Sequence, residues 1–102
     1  MLHAVTLTYL RHEEDIARHL DAHKQWLIRG FKEERIIFAG PLSNGSGGYI
    51  LFHSDNSDSV HHFLKDDPFV EHNVVSVSLV SIEPALSSKD FPEKWSENSK
   101  AI

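Results

Sequence analysis

The residue with the clearest chemical potential is a histidine that interrupts the apolar face of a predicted helix. At about 100° per residue, His23 lies in the middle of the stripe formed by Ile16, Leu20 and Leu27. Its imidazole therefore faces the predicted sheet, where both nitrogens need hydrogen-bond partners or a cavity. Because a free imidazole titrates near neutral pH, the ring suits acid or base catalysis at the floor of a pocket. The alternative is a core histidine whose hydrogen bonds are satisfied.

The second candidate is Asp67, which stands directly before Pro68. A residue in that position is pushed out of helical geometry, so the carboxylate can turn towards the sheet or its own backbone. Next to His23, it would orient the imidazole ring and select its tautomer. The alternative is an ordinary turn or capping residue. Asp66 is the weaker candidate, because it is expected on the solvent side of the helix.

The remaining constellations predict no metal and no cofactor. His19 and His23 have the i, i+4 spacing that can bring two imidazoles to one ion, but Leu20 stands where the metalloprotease motif has glutamate. The loop 43–48 contains glycines but lacks the lysine of a phosphate-binding loop. Its position also does not fit the dinucleotide-binding pattern.

The composition fits one small domain and excludes several function classes. The chain has 102 residues and a formal net charge of −5, and its ten basic residues are scattered, so nucleic-acid binding is disfavoured. It has no cysteine, which excludes disulfides and thiolate chemistry. Its apolar runs are short and the N-terminus lacks a signal-peptide pattern, so we expect neither a membrane span nor secretion. The prediction is a cytoplasmic protein.

Six elements must position the two candidate residues. The patterns predict strands over 2–10, 35–40, 49–52 and 74–82, a helix over 13–32, and a second helix that is capped by Ser57 and ends before Pro68. After Pro84 the periodicity is lost, and we expect a polar tail over 85–102 that is disordered or held by a neighbour. Its Phe91 and Trp95 are candidates to cover a pocket mouth or a partner chain.

The order of these elements predicts an α+β fold over residues 1–84. Strand, helix, strand, strand, helix, strand is the βαββαβ order of the ferredoxin-like fold, a four-stranded antiparallel sheet with helices on one face. The other sheet face carries apolar residues as well, and burying it against a second copy would produce a dimeric α+β barrel. We therefore predict a homodimer that forms through the sheet face.

In the order and spacing of several short segments, the chain resembles the YCII-like family of small dimeric α+β barrel proteins. The resemblance runs from residue 2 to about residue 84. It rests on Asp21-Ala22-His23, on Gly30, on the segment 36–41 and on Asp66-Asp67-Pro68-Phe69. It implies that His23 and Asp67 form a catalytic pair in a cavity between helix and sheet. Family members often carry an arginine one or two turns before the histidine, where this chain has Ile16 and Leu20.

One member type of this family removes chloride from a chlorinated hydroxyhydroquinone. The resemblance therefore implies a lyase or isomerase without cofactor, acting on a small cyclic or aromatic compound. His23 would move the proton, Asp67 would hold His23, and Tyr9, Gly40 and Pro41 would contact the substrate. Two alternatives stay open: a non-catalytic ligand-binding or assembly module, and haem or quinone monooxygenase chemistry on the same type of barrel.

Overall fold

The computed structural model describes residues 1–102, and its main elements follow the predicted order. Two helices alternate with four strands, and a one-turn helix follows the second of them. The bounds are β1 Leu2–Tyr9, α1 Glu13–Lys32, β2 Ile36–Pro41, β3 Gly47–His53, α2 Ser57–Leu64, α3 Pro68–Glu71 and β4 Val75–Ile82. No helix combines the length and the apolar character that crossing a membrane requires.

The four strands form one antiparallel sheet in the order β2-β3-β1-β4. This is the ferredoxin-like topology, so the predicted α+β fold class is confirmed. β2 and β3 form a hairpin, in which Gly40 pairs with Tyr49. In β4, Val75 pairs with Tyr9 and Leu79 pairs with Val5, so Val75 and Leu79 lie on the same face of the sheet as those two residues.

The helices cover one face of the sheet and leave the other face open. On β1, alternate residues His3, Val5 and Leu7 are buried beneath the helices. The core contains twelve buried apolar residues: Val5, Leu7, Trp26, Ile36, Ile50, Phe52, Val60, Phe63, Leu64, Phe69, Val74 and Val75. On the open face, Phe38 and Val80 are more than half exposed.

Gly30 allows α1 to approach the sheet closely. A methyl group at this position would lie 2.4 Å from Cδ1 of Ile36 and 3.2 Å from the ring of Phe63. Trp26, one turn earlier, donates a hydrogen bond from Nε1 to the carbonyl oxygen of Phe63 at 3.1 Å. The C-terminal half of α1 is therefore fixed both to β2 and to α2.

Two predictions about chain segments are wrong. The N-cap of α2 is Asn56, whose side chain accepts from the backbone N–H of Ser59, and Ser57 is the first helical residue. Both residue types cap helices well, so the sequence pattern does not choose between neighbours.

The sequence predicts a tail after Pro84 that is disordered or held by a neighbour, and instead the tail folds locally. It contains β5 Leu86–Ser87, α4 Glu93–Ser96 and β6 Lys100–Ala101, with β5 and β6 paired in parallel. Its Phe91 and Trp95 contact each other, with ring centroids 5.9 Å apart, and neither covers the cavity described below. His53 donates to the Glu97 carboxylate at 3.0 Å and joins the tail to β3. The division of the chain at residue 84 stays a prediction.

Candidate functional site

A cavity of about 310 Å³ lies between α1 and the sheet, and we call it the helix–sheet cavity. Its walls are mostly apolar. Leu20 and Leu27 contribute from α1, Leu7 and Ile50 contribute from the sheet, and Phe69 closes one end. This volume is at the lower end of ligand pockets, which span roughly 300–1,000 Å³, and it suits a single ring.

His23 and Asp67 meet at the edge of this cavity. Nδ1 of His23 lies 2.7 Å from Oδ1 of Asp67, across 44 positions of sequence. The histidine is 8% exposed and the aspartate is fully buried. His23 lines the cavity, whereas Asp67 lies behind it and does not. Asp66, the weaker candidate, is exposed and pairs with Arg29 at 2.9 Å.

The hydrogen bonds around Asp67 assign the tautomer of His23. Oδ1 of Asp67 also accepts the backbone N–H of Phe69 at 3.0 Å, which caps α3. A carboxylate only accepts hydrogen bonds, so in the neutral ring of His23 the hydrogen sits on Nδ1 and the free electron pair on Nε2. Nε2 of His23 has no hydrogen-bond partner in the protein. It is also not sealed from solvent, because the only buried polar side-chain atom without a partner is Oδ2 of Asp67. A base is therefore open towards the cavity.

Aromatic rings hold the imidazole in place. The ring of His23 stacks on that of Phe69, with centroids 4.1 Å apart and planes at 14°. The ring of Trp26 also contacts the imidazole, with the two centroids 5.8 Å apart. These contacts, together with the hydrogen bond to Asp67, restrain the orientation of the imidazole.

The three predicted substrate contacts also line the helix–sheet cavity. Tyr9 does so from the end of β1, with its ring 6.1 Å from Phe69 in an edge contact, and Gly40 and Pro41 do so from the end of β2. Sequence reasoning missed Lys24, which lines the cavity from α1. Its spacing could have revealed it, because Lys24 lies one helical turn after Leu20 on the same stripe of α1. The sequence prediction considered only the apolar residues of that stripe and His23.

Other polar residues of α1 are engaged elsewhere. Arg18 is exposed and pairs with Asp15 at 3.1 Å, outside the cavity. The ring of His19 stacks on that of His72, with centroids 4.2 Å apart, while His23 turns towards Asp67. The two imidazoles of the i, i+4 pair thus have different partners.

A second buried histidine, His3, lies near the start of β1. It is fully buried, its Nε2 donates to the carbonyl oxygen of Ser54 at 3.2 Å, and its Nδ1 accepts from the hydroxyl of Ser81 at 2.9 Å. Burial lowers the pKa of His3 below its ordinary value of 6.5, because desolvation disfavours the imidazolium. The sequence contains a signal for this burial, because side chains alternate between the two faces of a strand and His3 is two residues before the apolar Val5.

The fold is a ferredoxin-like α+β domain, with a four-stranded antiparallel sheet and helices on one face. It carries a candidate small-molecule site, in which a buried His–Asp pair lies beside a ring-sized cavity. The chain belongs to the YCII-related domain family, whose model matches residues 1–83. The resemblance drawn from the sequence is thus confirmed.

Structural comparison finds the same fold in an enzyme. The chain is similar to 5-chloro-2-hydroxyhydroquinone dehydrochlorinase from Burkholderia phenoliruptrix, solved in complex with 2,5-dihydroxybenzoquinone. The TM-score is 0.68 and the identity 18%, over 80% of this chain and 93% of the enzyme. At this identity the likeness establishes the fold. No protein of curated function matches the sequence.

Proposed function

We propose that the protein is a cofactor-independent lyase or isomerase that acts on a small hydroxylated ring bound in the helix–sheet cavity. His23 is the catalytic acid and base, and Asp67 is the residue that positions it. The observation that carries the proposal is the unpartnered Nε2 of His23, open to the cavity while Nδ1 is bonded to a fully buried carboxylate. Tyr9, Gly40 and Pro41 would contact the ring.

The reaction is a short series of proton transfers. Nε2 takes the proton of a ring hydroxyl, and a C=O bond forms as the adjacent ring double bond breaks. The imidazolium then gives the proton to the ring carbon that carries the leaving group, so that this carbon becomes tetrahedral. In an isomerase the reaction stops at this tautomer. In a lyase Nε2 then takes the proton of a second hydroxyl and a second C=O bond forms. The ring double bond shifts to the carbon that carries the leaving group, and the leaving group departs with its bonding electrons. A positioned base of this type contributes roughly 10²- to 10⁴-fold to the rate.

Two features support a ring of this size. The helix–sheet cavity is at the lower end of the range of ligand pockets, and its apolar walls suit a planar ring. The dehydrochlorinase with the same fold was solved with a single-ring dihydroxyquinone. These features favour the lyase or isomerase over haem monooxygenase chemistry on the same barrel.

The test compares His23→Ala and Asp67→Asn with the parent on 5-chloro-2-hydroxyhydroquinone, with chloride release as the measurement. We expect both variants to lose at least about 10²-fold in rate while they remain folded. Asp66→Asn is the matched control, because that neighbouring carboxylate is exposed and paired with Arg29. If the parent and both variants bind the ring with equal affinity and none of the three releases chloride, the protein is the non-catalytic ligand-binding module.

We propose further that two copies associate through the open sheet face as a homodimer. Phe38, Val80 and Ile82 are 52%, 57% and 44% exposed on this face. Sedimentation of the parent should give twice the mass of one chain. Val80→Asp should give one chain mass, because it places a charge on the apolar face that would be buried between the two copies. A parent that sediments as a single chain would contradict the dimer.

A further inference from the structure

One wall of the helix–sheet cavity is a single stripe of α1. Leu20, His23, Lys24 and Leu27 follow the spacing i, i+3, i+4 and i+7, and all four line the cavity. The side chain of Lys24 therefore runs along the cavity edge between two leucines. A lysine in this setting lays its methylene stem on apolar surface and keeps its ammonium in water.

Lys24 is the only residue of the cavity wall with a permanent charge. No aspartate or glutamate lines the cavity, and the charge of Asp67 lies behind the imidazole of His23. Lys24 also has no carboxylate within 4.0 Å, whereas Arg18 and Arg29 of the same helix are both paired. Its ammonium is free to bind a ligand without breaking an existing ion pair.

The net charge of the chain makes this local cation important. At −5 the molecule as a whole repels anions, so an anionic ligand needs a local positive group at the site of entry. Lys24 supplies that group at the mouth, one residue along α1 from the base.

We propose that Lys24 is a specificity-determining residue that makes the helix–sheet cavity select small planar organic anions, such as phenolates, enolates and ring carboxylates, over uncharged rings of the same size. This inference rests on the proposed function. The ammonium binds the anionic oxygen at the mouth, and the ring then lies against the leucines with another hydroxyl towards Nε2 of His23. Uncharged analogues gain the apolar contact but lack the ion pair.

The experiment uses benzoate and benzamide, two planar rings of nearly equal size that differ in charge. Their affinities are measured by NMR titration of the intact chain, followed by the ring signals of His23. Lys24→Met keeps the apolar stem and removes the charge, and Lys24→Arg keeps the charge. Lys32→Met is the matched control, since Lys32 is exposed on the same helix and does not line the cavity.

In the parent we expect benzoate to bind more tightly than benzamide. In Lys24→Met the affinity for benzoate should fall about three- to tenfold, the range for a partly exposed charged contact, while that for benzamide stays unchanged. Lys24→Arg and Lys32→Met should behave as the parent, and added salt should weaken only benzoate binding.

Each other outcome overturns a defined part of the proposal. If Lys24→Met loses affinity for benzoate and for benzamide equally, the side chain only packs against the ring. If the parent binds benzoate and benzamide with equal affinity, the cavity does not select for charge. Either result overturns the role of Lys24 and leaves the proposed reaction standing. If neither ring perturbs His23 in the parent, the cavity is not a ring-binding site, and the proposed function falls together with this inference.

Discussion

The imidazole of His23 lies flat on the phenyl ring of Phe69, with the two centroids 4.1 Å apart. The backbone N–H of Phe69 donates to the same carboxylate oxygen that holds the imidazole. One residue of α3 therefore supports the histidine twice, through its ring directly and through Asp67. Three residues act as a unit, and each of them can be tested separately.

The first prediction concerns the stacking ring. Phe69→Leu should destabilise the fold by about 1–3 kcal/mol, since it removes buried ring atoms, and should also shift the NMR signals of the His23 ring. Phe63→Leu is the matched control, because Phe63 is equally buried and contacts Trp26 instead of His23. It should cost similar stability and shift the His23 signals less, because Phe63 reaches His23 only through Trp26. Denaturant unfolding and one NMR spectrum per variant suffice. Identical His23 signals in Phe69→Leu and the parent would contradict the supporting role.

The second prediction separates the two tasks of Asp67. Asp67→Asn keeps an oxygen that can cap α3, whereas Asp67→Ala loses the cap and leaves Nδ1 of His23 unpaired. We expect the alanine variant to be less stable than the asparagine variant by about 1–3 kcal/mol, measured by urea unfolding. Nitrogen chemical shifts of His23 should report the Nδ1–H tautomer in the parent. An Nε2–H tautomer in the parent would contradict the assignment.

The third prediction concerns His3 and pH. The pKa of His3 is lowered in the folded state by burial, so between that value and the ordinary value of 6.5 the unfolded chain binds more protons than the folded chain. The contribution of neutral His3 is complete above about pH 6.5 and is lost as the pH falls towards the folded pKa. His3→Gln should therefore flatten the stability profile on the acid side of pH 6.5. A profile of unchanged slope would place the acid sensitivity elsewhere.

The fourth prediction weighs two opposed effects at Gly30. Glycine to alanine in a helix interior stabilises by about 0.5–1 kcal/mol, while overpacking a core costs about 1–3 kcal/mol. The added methyl would lie 2.4 Å from Cδ1 of Ile36, so the overpacking cost should dominate and Gly30→Ala should lower the melting temperature. Shortening the neighbour, in Gly30→Ala with Ile36→Val, should recover part of the loss. Full stability of Gly30→Ala alone would show that the side chain of Ile36 moves away without cost.

The placement of His23 and Asp67 was predictable because local rules decide it. Helical spacing turns His23 inward, and Pro68 ends the helical conformation at Asp67, whatever the rest of the chain does. The distance between the two residues was not predictable in this way. It depends on how α3 packs against α1, a long-range contact that no short pattern encodes.

The failures have physical causes of the same kind. Asn56 and Ser57 are adjacent and both cap helices, so their choice depends on backbone geometry that only the folded chain defines. The local structure of the tail depends on contacts such as that between His53 and Glu97, which are 44 positions apart. Lys24 was passed over because hydropathy patterns treat lysine as solvated surface, whereas its stem lines a cavity.

Helix α1 turns different sides towards the core and the cavity. Trp26 and Gly30 lock it onto β2 and α2, while Leu20 and Leu27 meet the space where a ligand would lie. Leu20 and Leu27 stand outside the twelve-residue core. Bulkier or smaller side chains at these two places would resize the helix–sheet cavity while the anchoring of the helix persists, so point substitutions can change the volume open to a ligand without rebuilding the fold.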